Sequence, residues 1–204
     1  MRAESNGIGD EIEGVLWFLG AIWGVFLLSF LVPSVDRFGV VPRTSGGLIG
    51  IATMPFLHAS LVHLLSNTAP LFILLLLLAG SRARSWSIVA GVSVLSGSLL
   101  WIFGRPAIHI GASALVFGLI TFLIASGLLE RRPIPLLISI CVGFLYGGSL
   151  VFGVIPGLRS GVSWDGHLCG AVAGVLSAYS LAPGGGRPPR AVEVAPPSFQ
   201  KPAL

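Results

Sequence analysis

"PFLHASLVHLLSNTAPLFILLLLLA", residues 55–79, contains no Asp, Glu, Lys or Arg. A helix of about 20 apolar residues crosses the hydrocarbon core of a bilayer, so this stretch is long enough to span one. Yet its first half carries His58, His63 and Asn67. Polar and ionisable side chains within a membrane are costly, and they are functional candidates by default. The stretch therefore sets two questions. One is whether the whole chain is a membrane bundle. The other is what else lies at the depth of these three residues.

Composition answers the first. Of the 204 residues, 54% are hydrophobic and 10% are charged, whereas a soluble domain carries about 25% charged residues. The chain reads as a membrane protein. Its 28 glycines are about twice the usual share, and in lipid small residues mark close helix contact. Cys141 and Cys169 both fall in apolar stretches, which gives neither a disulfide framework nor a CxxC metal spacing. No metal and no organic cofactor is expected. The net charge of +4 comes from scattered basic residues, which read as topology signals and not as a nucleic-acid surface.

Uncharged stretches run over 14–35, 44–81, 85–104, 106–129, 133–158 and 166–186. The first is too long for a cleaved signal peptide, and the acidic "MRAESNGIGDEIE" before it is unlike an Arg-rich transit peptide. The second exceeds one span. Its opening, "TSGGLIGIATMPF", is glycine-rich and proline-ended, so it is expected to dip as a loop at the membrane surface, with the helix starting near Pro55. The expected fold class is an all-α membrane protein with a bundle of six transmembrane helices. Six helices put both termini on one side. That side, with the second and fourth loops, holds eight Lys and Arg residues against four on the other. The termini are therefore assigned to the cytoplasm. The domains follow as a polar N-terminal segment, 1–13, a six-helix membrane domain, 14–182, and a proline- and glycine-rich cytoplasmic tail, 183–204, expected to be disordered.

On this topology the second, fourth and sixth helices all begin on the extracytoplasmic side. His58, His63 and Asn67 sit in the first half of the second. His109 and Ser113 head the fourth, and Asp165 and His167 head the sixth. A serine, a histidine and further hydrogen-bond donors at one depth are the parts of a serine hydrolase site. His63 and Asn67 are four apart and share a helix face. Gly166, Gly170 and Gly174 form a double GxxxG, and Ala114 and Gly118 offer a matching small surface. Asp165 precedes His167 by two residues, about 200° around a helix, which points it away. A Ser-His dyad is expected, with Asp165 as a first-turn acid and Ser163 as the N-cap. His109 is expected to be a loop residue at the membrane interface. Gly111 is expected to let the backbone turn into the fourth helix, leaving Ser113 in the first turn beside unpaired N–H groups.

These motifs resemble those of the rhomboid family of intramembrane serine proteases. "PFLHASLVHLLSN" is similar to the family's helix-two signature, "GASA" at 111–114 to its GxSG nucleophile motif, and "GHLCGAVAG" at 166–174 to its helix-six histidine followed by GxxxG. The resemblance spans roughly Val15 to Leu181. It implies that Ser113 is the nucleophile and His167 its general base. It also implies that His63, Asn67 and the Ser113 backbone N–H hold the oxyanion. His58 would be structural support, as would Gly111, Gly170 and Gly174 around the site. Ala114 departs from the pattern, standing where the family motif has its second glycine.

The implied activity is hydrolysis of peptide bonds in or near the transmembrane segments of membrane-protein substrates. The partners would be those substrates and the lipid bilayer, with no nucleic acid. The location would be a prokaryotic plasma membrane, crossed several times. The alternative is a rhomboid-like pseudoprotease that binds transmembrane helices without cleavage. The chain keeps both the serine and the histidine, and Ala114 alone favours that alternative. A small transporter or channel would predict inverted repeats or several intramembrane charges, and the sequence displays neither.

Overall fold

A computed structural model describes residues 8–82, 85–157 and 162–182. Residues 1–7, the basic Arg84 and Arg159, and the tail from residue 183 lie outside the described residues. Six long helices account for most of the rest. They are α1 (Ile8–Leu31), α2 (Leu61–Ser81), α3 (Ser85–Phe103), α4 (Ser113–Glu130), α5 (Pro133–Gly153) and α6 (Trp164–Leu181). Among the described residues there is no strand, only an isolated antiparallel bridge between Val40 and His109. Helices α1 to α5 are long and apolar enough to cross a membrane. Helix α6 is of similar length, but Asp165, His167 and its glycines dilute its apolar character.

Two helix starts differ from the sequence expectation. Helix α1 begins at Ile8, ahead of the first uncharged residue, Gly14. Asp10 and Glu11 fill its first turn, where acids offset the positive end of the helix. Glu11 is buried and accepts a hydrogen bond from the Ser85 hydroxyl at the head of α3. Helix α2 begins at Leu61, not near Pro55. Pro55 belongs to a 3-10 turn, Met54–Phe56, the last of three short helical turns that fold the stretch before α2. Ser60 then takes an extended backbone and caps α2, its hydroxyl accepting from the His63 N–H at 3.1 Å. His58 therefore stands in the segment before the helix and not within it.

Helix α4 is the central element. Within the apolar window of α4, 67% of residues are buried, against 11% for α5. Helix α4 is apolar on all faces, as a helix surrounded by others must be. It packs most extensively on α6, then on α5, with α3 and α2 completing its surroundings. Helix α1 packs on α2 at the periphery. The α4–α6 seam is backbone against backbone. A Cβ added at Gly170 would overlap the Ala114 carbonyl and lie 3.0 Å from Ala114 Cα; one at Gly174 would overlap the Gly118 carbonyl. Thr121 Oγ1 crosses the same seam to donate to the Ala171 carbonyl at 2.8 Å. Small residues thus bring the two helices close enough for dispersion and hydrogen bonding to hold them together without a hydrophobic driving force.

Candidate active site

The first two turns of α2, α4 and α6 converge on one cavity of about 490 Å³. His63 and Asn67 of α2, Ser113 and Phe117 of α4, and His167 of α6 line it, with Tyr146, Ser149 and Gly153 of α5 forming another wall. Helix order alone produces this convergence. Helices α2, α4 and α6 run in the same direction, so their N-terminal ends share one end of the bundle.

Ser113 is the first residue of α4. Ala112 before it is helical in backbone and provides no side-chain cap. The Val116 N–H is bonded to the Ala112 carbonyl at 2.9 Å. The N–H groups of Ser113, Ala114 and Leu115 lie ahead of that first bond and have no acceptor within the helix. Gly111 makes the turn into α4 with φ +115°, a conformation that L side chains rarely adopt. Its N–H donates to the Met54 carbonyl at 3.0 Å. A Cβ at Gly111 would stand 2.6 Å from His63 Nε2. Glycine here therefore serves both the turn and the close approach of the α2 imidazole to the backbone ahead of Ser113.

His63 and Asn67 lie on one face of α2, and the Asn67 amide donates to the His63 carbonyl at 3.0 Å. That bond uses one of the two amide N–H groups and orients the other. The buried His58 ring meets the His63 ring edge-on, with centroids 4.9 Å apart. His58 thus contacts a cavity residue from behind but does not itself line the cavity.

His167 is held on two sides. Its ring stacks on Phe117, with centroids 4.0 Å apart and planes 10° from parallel. Its Nδ1 lies 2.9 Å from the Gly153 carbonyl oxygen at the end of α5. A carbonyl can only accept, so Nδ1 is the donor, and in the neutral ring the lone pair is on Nε2.

Asp165 sits in the first turn of α6, capped by Ser163 as the sequence suggests. The Ser163 hydroxyl accepts from the Gly166 N–H at 3.2 Å and donates to Asp165 Oδ1 at 2.9 Å. The carboxylate also accepts from Arg105, from the backbone N–H at 2.9 Å, from Nε at 3.2 Å and from Nη2 at 3.1 Å. His109 departs from expectation in part. It lies in the α3–α4 connection, as expected of a loop residue, but it is buried and lines the cavity. Its Nδ1 meets Ser163 Oγ at 2.8 Å, its Nε2 donates to the Arg105 carbonyl at 3.0 Å, and its backbone pairs with Val40. Arg105, His109, Ser163 and Asp165 together fasten the α3–α4 connection to the head of α6. Among the described residues no group of three or more His, Cys, Asp or Glu is placed to hold a metal.

Ala114 lies outside the cavity lining. It is buried in a small cluster with Val40, Met54, Leu100 and Cys169, and its backbone is not in the left-handed region. Sequence reasoning passed over Phe117, although its place four residues after Ser113 on a helix puts it on the same face. The Gly153 contact had no signal to read, since a backbone carbonyl has no sequence signature.

Fold and cavity together define a multi-pass membrane protein that gathers Ser113, His63, His167 and the Asn67 amide around one cavity at one end of its bundle. The sequence matches the Rhomboid domain family over residues 45–184, and the chain belongs to that family. It is similar to an uncharacterized protein of Mycobacterium tuberculosis, 41% identical over 179 residues that cover 82% of this chain and 74% of the relative. An uncharacterized protein of Mycobacterium leprae is also 41% identical, over 82% of this chain and 70% of its own. A protein of Acanthamoeba polyphaga mimivirus, provisionally named a rhomboid protein, is 30% identical over 66% of this chain and 75% of its own. The mycobacterial relatives point to a prokaryotic source.

Proposed function

We propose that this chain is an intramembrane serine endopeptidase that uses a Ser113–His167 dyad. Its six helices would all cross the bilayer with both termini in the cytoplasm, as a membrane domain over 14–182 between a short polar segment and a cytoplasmic tail. The substrates would be membrane proteins cut in or near a transmembrane segment. The observation that carries this is the meeting of Ser113, His167, His63 and Asn67, from three separate helices, around one cavity.

The chemistry follows from that set. Ser113 Oγ attacks the scissile carbonyl carbon while His167 Nε2 takes the hydroxyl proton. Negative charge develops on the substrate oxygen. His63, the Asn67 amide and the Ser113 N–H are the donors for it, and one such donor is worth about 3 kcal/mol in the transition state. The tetrahedral species collapses as His167 returns the proton to the leaving nitrogen. Water, activated by the same base, then frees the acyl group.

Rhomboid membership alone is compatible with an inactive protein that binds transmembrane helices. Ala114 is the feature that favours that alternative, and its burial away from the cavity weakens the case. The test is cleavage of a model transmembrane substrate by the full chain in detergent or liposomes. Wild type should cleave and Ser113→Ala should not. Equal cleavage by the two would remove Ser113 from the mechanism, and no cleavage by wild type on a panel of substrates would favour the binding protein.

A further inference from the structure

The dyad proposed above names no acid of the kind that orients the imidazole in a Ser-His-Asp triad. Asp165 is the nearest acid in sequence to His167, yet Arg105 and Ser163 engage its carboxylate. An imidazole that must accept a proton at Nε2 still needs its other proton fixed at Nδ1. It also needs a ring plane that does not wander. Free imidazole meets neither need, since it can carry its proton on either nitrogen and rotate.

The geometry points to the backbone carbonyl of Gly153 as the group that takes this place; the inference rests on the dyad proposed above. Three observations meet there. The carbonyl oxygen is 2.9 Å from His167 Nδ1 and can only accept, so it selects the Nδ1–H form. The Phe117 ring lies flat against the imidazole and sets its plane. Gly153 itself has no room for a side chain: a Cβ there would overlap Phe117 Cζ, come within 2.7 Å of its Cε1 and stand 3.2 Å from His167 Nδ1. Glycine is thus required where the chain of α5 passes the two stacked rings. Gly153 is also the last residue of α5, where helix carbonyls are left without intrahelical partners, so this oxygen is available without breaking the helix.

Gly153 is a positioning residue, not a catalytic one. It acts through His167 by holding the proton on Nδ1 and the lone pair on Nε2. Helix α5, which provides this carbonyl, has the smallest buried share of the five candidate spans.

The direct test is 15N NMR of histidine-labelled full-length Ser113→Ala protein in micelles, with His167 assigned by comparison with Ser113→Ala/His167→Ala. In the neutral ring the proton should sit on Nδ1. A proton on Nε2 would overturn the inference even if the protein proves to be a protease. Conversely, an Nδ1 proton would stand even if cleavage by Ser113→Ala ended the dyad proposal. The kinetic test is Gly153→Ala on an otherwise wild-type chain. A displaced base should lower kcat by about 10-fold or more with little change in KM. Unchanged kcat, or a KM effect alone, would contradict a role in holding the base.

Discussion

Helices α5 and α6 both face α4, yet they differ in how far along their length they do so: α5 comes close near its start, where Gly127 lies against the Pro135 carbonyl and Ser139 donates to the Ile124 carbonyl at 3.0 Å. Helix α6 lays Gly170 and Gly174 against the carbonyls of Ala114 and Gly118 and adds the Thr121 to Ala171 hydrogen bond. Helix α5 leaves most of its surface uncovered, with Phe144 at 88% exposure, and several of its glycines, including Gly143, Gly147 and Gly148, face open space. Gly170 and Gly174 of α6 are packing devices along the seam, whereas along α5 Gly143, Gly147 and Gly148 press on nothing and only the terminal Gly153 lies against other side chains. Ser113 and His167, the proposed nucleophile and base, ride on the two closely packed helices. The remaining wall of the cavity comes from the less buried helix, through Tyr146, Ser149 and Gly153. The cavity thus has two walls from closely packed helices and another from the helix that the core covers least.

The largest effect should come from His167, the proposed base, on the closely packed α4–α6 seam. His167→Ala should reduce cleavage of a transmembrane substrate by about 10⁴-fold or more, as loss of a member of a catalytic unit does. A loss below tenfold, measured against an equally folded control, would place the general base elsewhere. Next in size, Asn67→Ala should lower kcat by about 10²-fold, with KM little altered, because an oxyanion donor acts mainly in the transition state. An effect confined to KM would make Asn67 a substrate contact.

A matched pair addresses the seam itself. Gly174→Ala adds a methyl that overlaps the Gly118 carbonyl and should cost about 1–3 kcal/mol of stability through overpacking. Gly148→Ala adds the same methyl to open space on α5 and should be neutral or stabilise by up to ~1 kcal/mol through helix propensity. Thermal unfolding in one detergent compares the two, and equal shifts would erase the contrast between the helices. The smallest change expected is Ala114→Gly. Its methyl packs in the Val40, Met54, Leu100 and Cys169 cluster outside the cavity. It should lose about 1 kcal/mol or less of stability and leave the choice of residue at the cut unaltered. Broader acceptance of large residues in that variant would show that Ala114 narrows the cleft after all.

What could be read in the sequence was whatever periodicity encodes. The spacing of Gly166, Gly170 and Gly174 announces a small-residue face, and Ala114 and Gly118 its complement. The four-residue step from His63 to Asn67 announces a shared face. Alternation of helices across a bilayer then places the heads of α2, α4 and α6 together. The remainder depends on hydrogen bonds that no period carries. Ser60 ends the loop before α2 and leaves His58 outside the helix, because an extended serine caps more effectively than Pro55 begins a span. Asp10 and Glu11 extend α1 beyond its uncharged stretch. His109 is drawn inward by Ser163 and the Arg105 carbonyl, partners 54 residues away and 4 residues away; only the nearer is visible in local spacing. The Gly153 carbonyl has no side chain to notice at all.

The claim at the centre is that Ser113 is a nucleophile activated by His167, and covalent capture tests it most directly. The purified full-length protein would be treated with a fluorophosphonate probe, and the modified residue located by mass spectrometry. A single adduct on Ser113 is expected in wild type. It should be absent from Ser113→Ala and strongly reduced in His167→Ala, because serine at neutral pH needs its base to react. An adduct on a different serine, or labelling of Ser113 at the same rate without His167, would contradict the account.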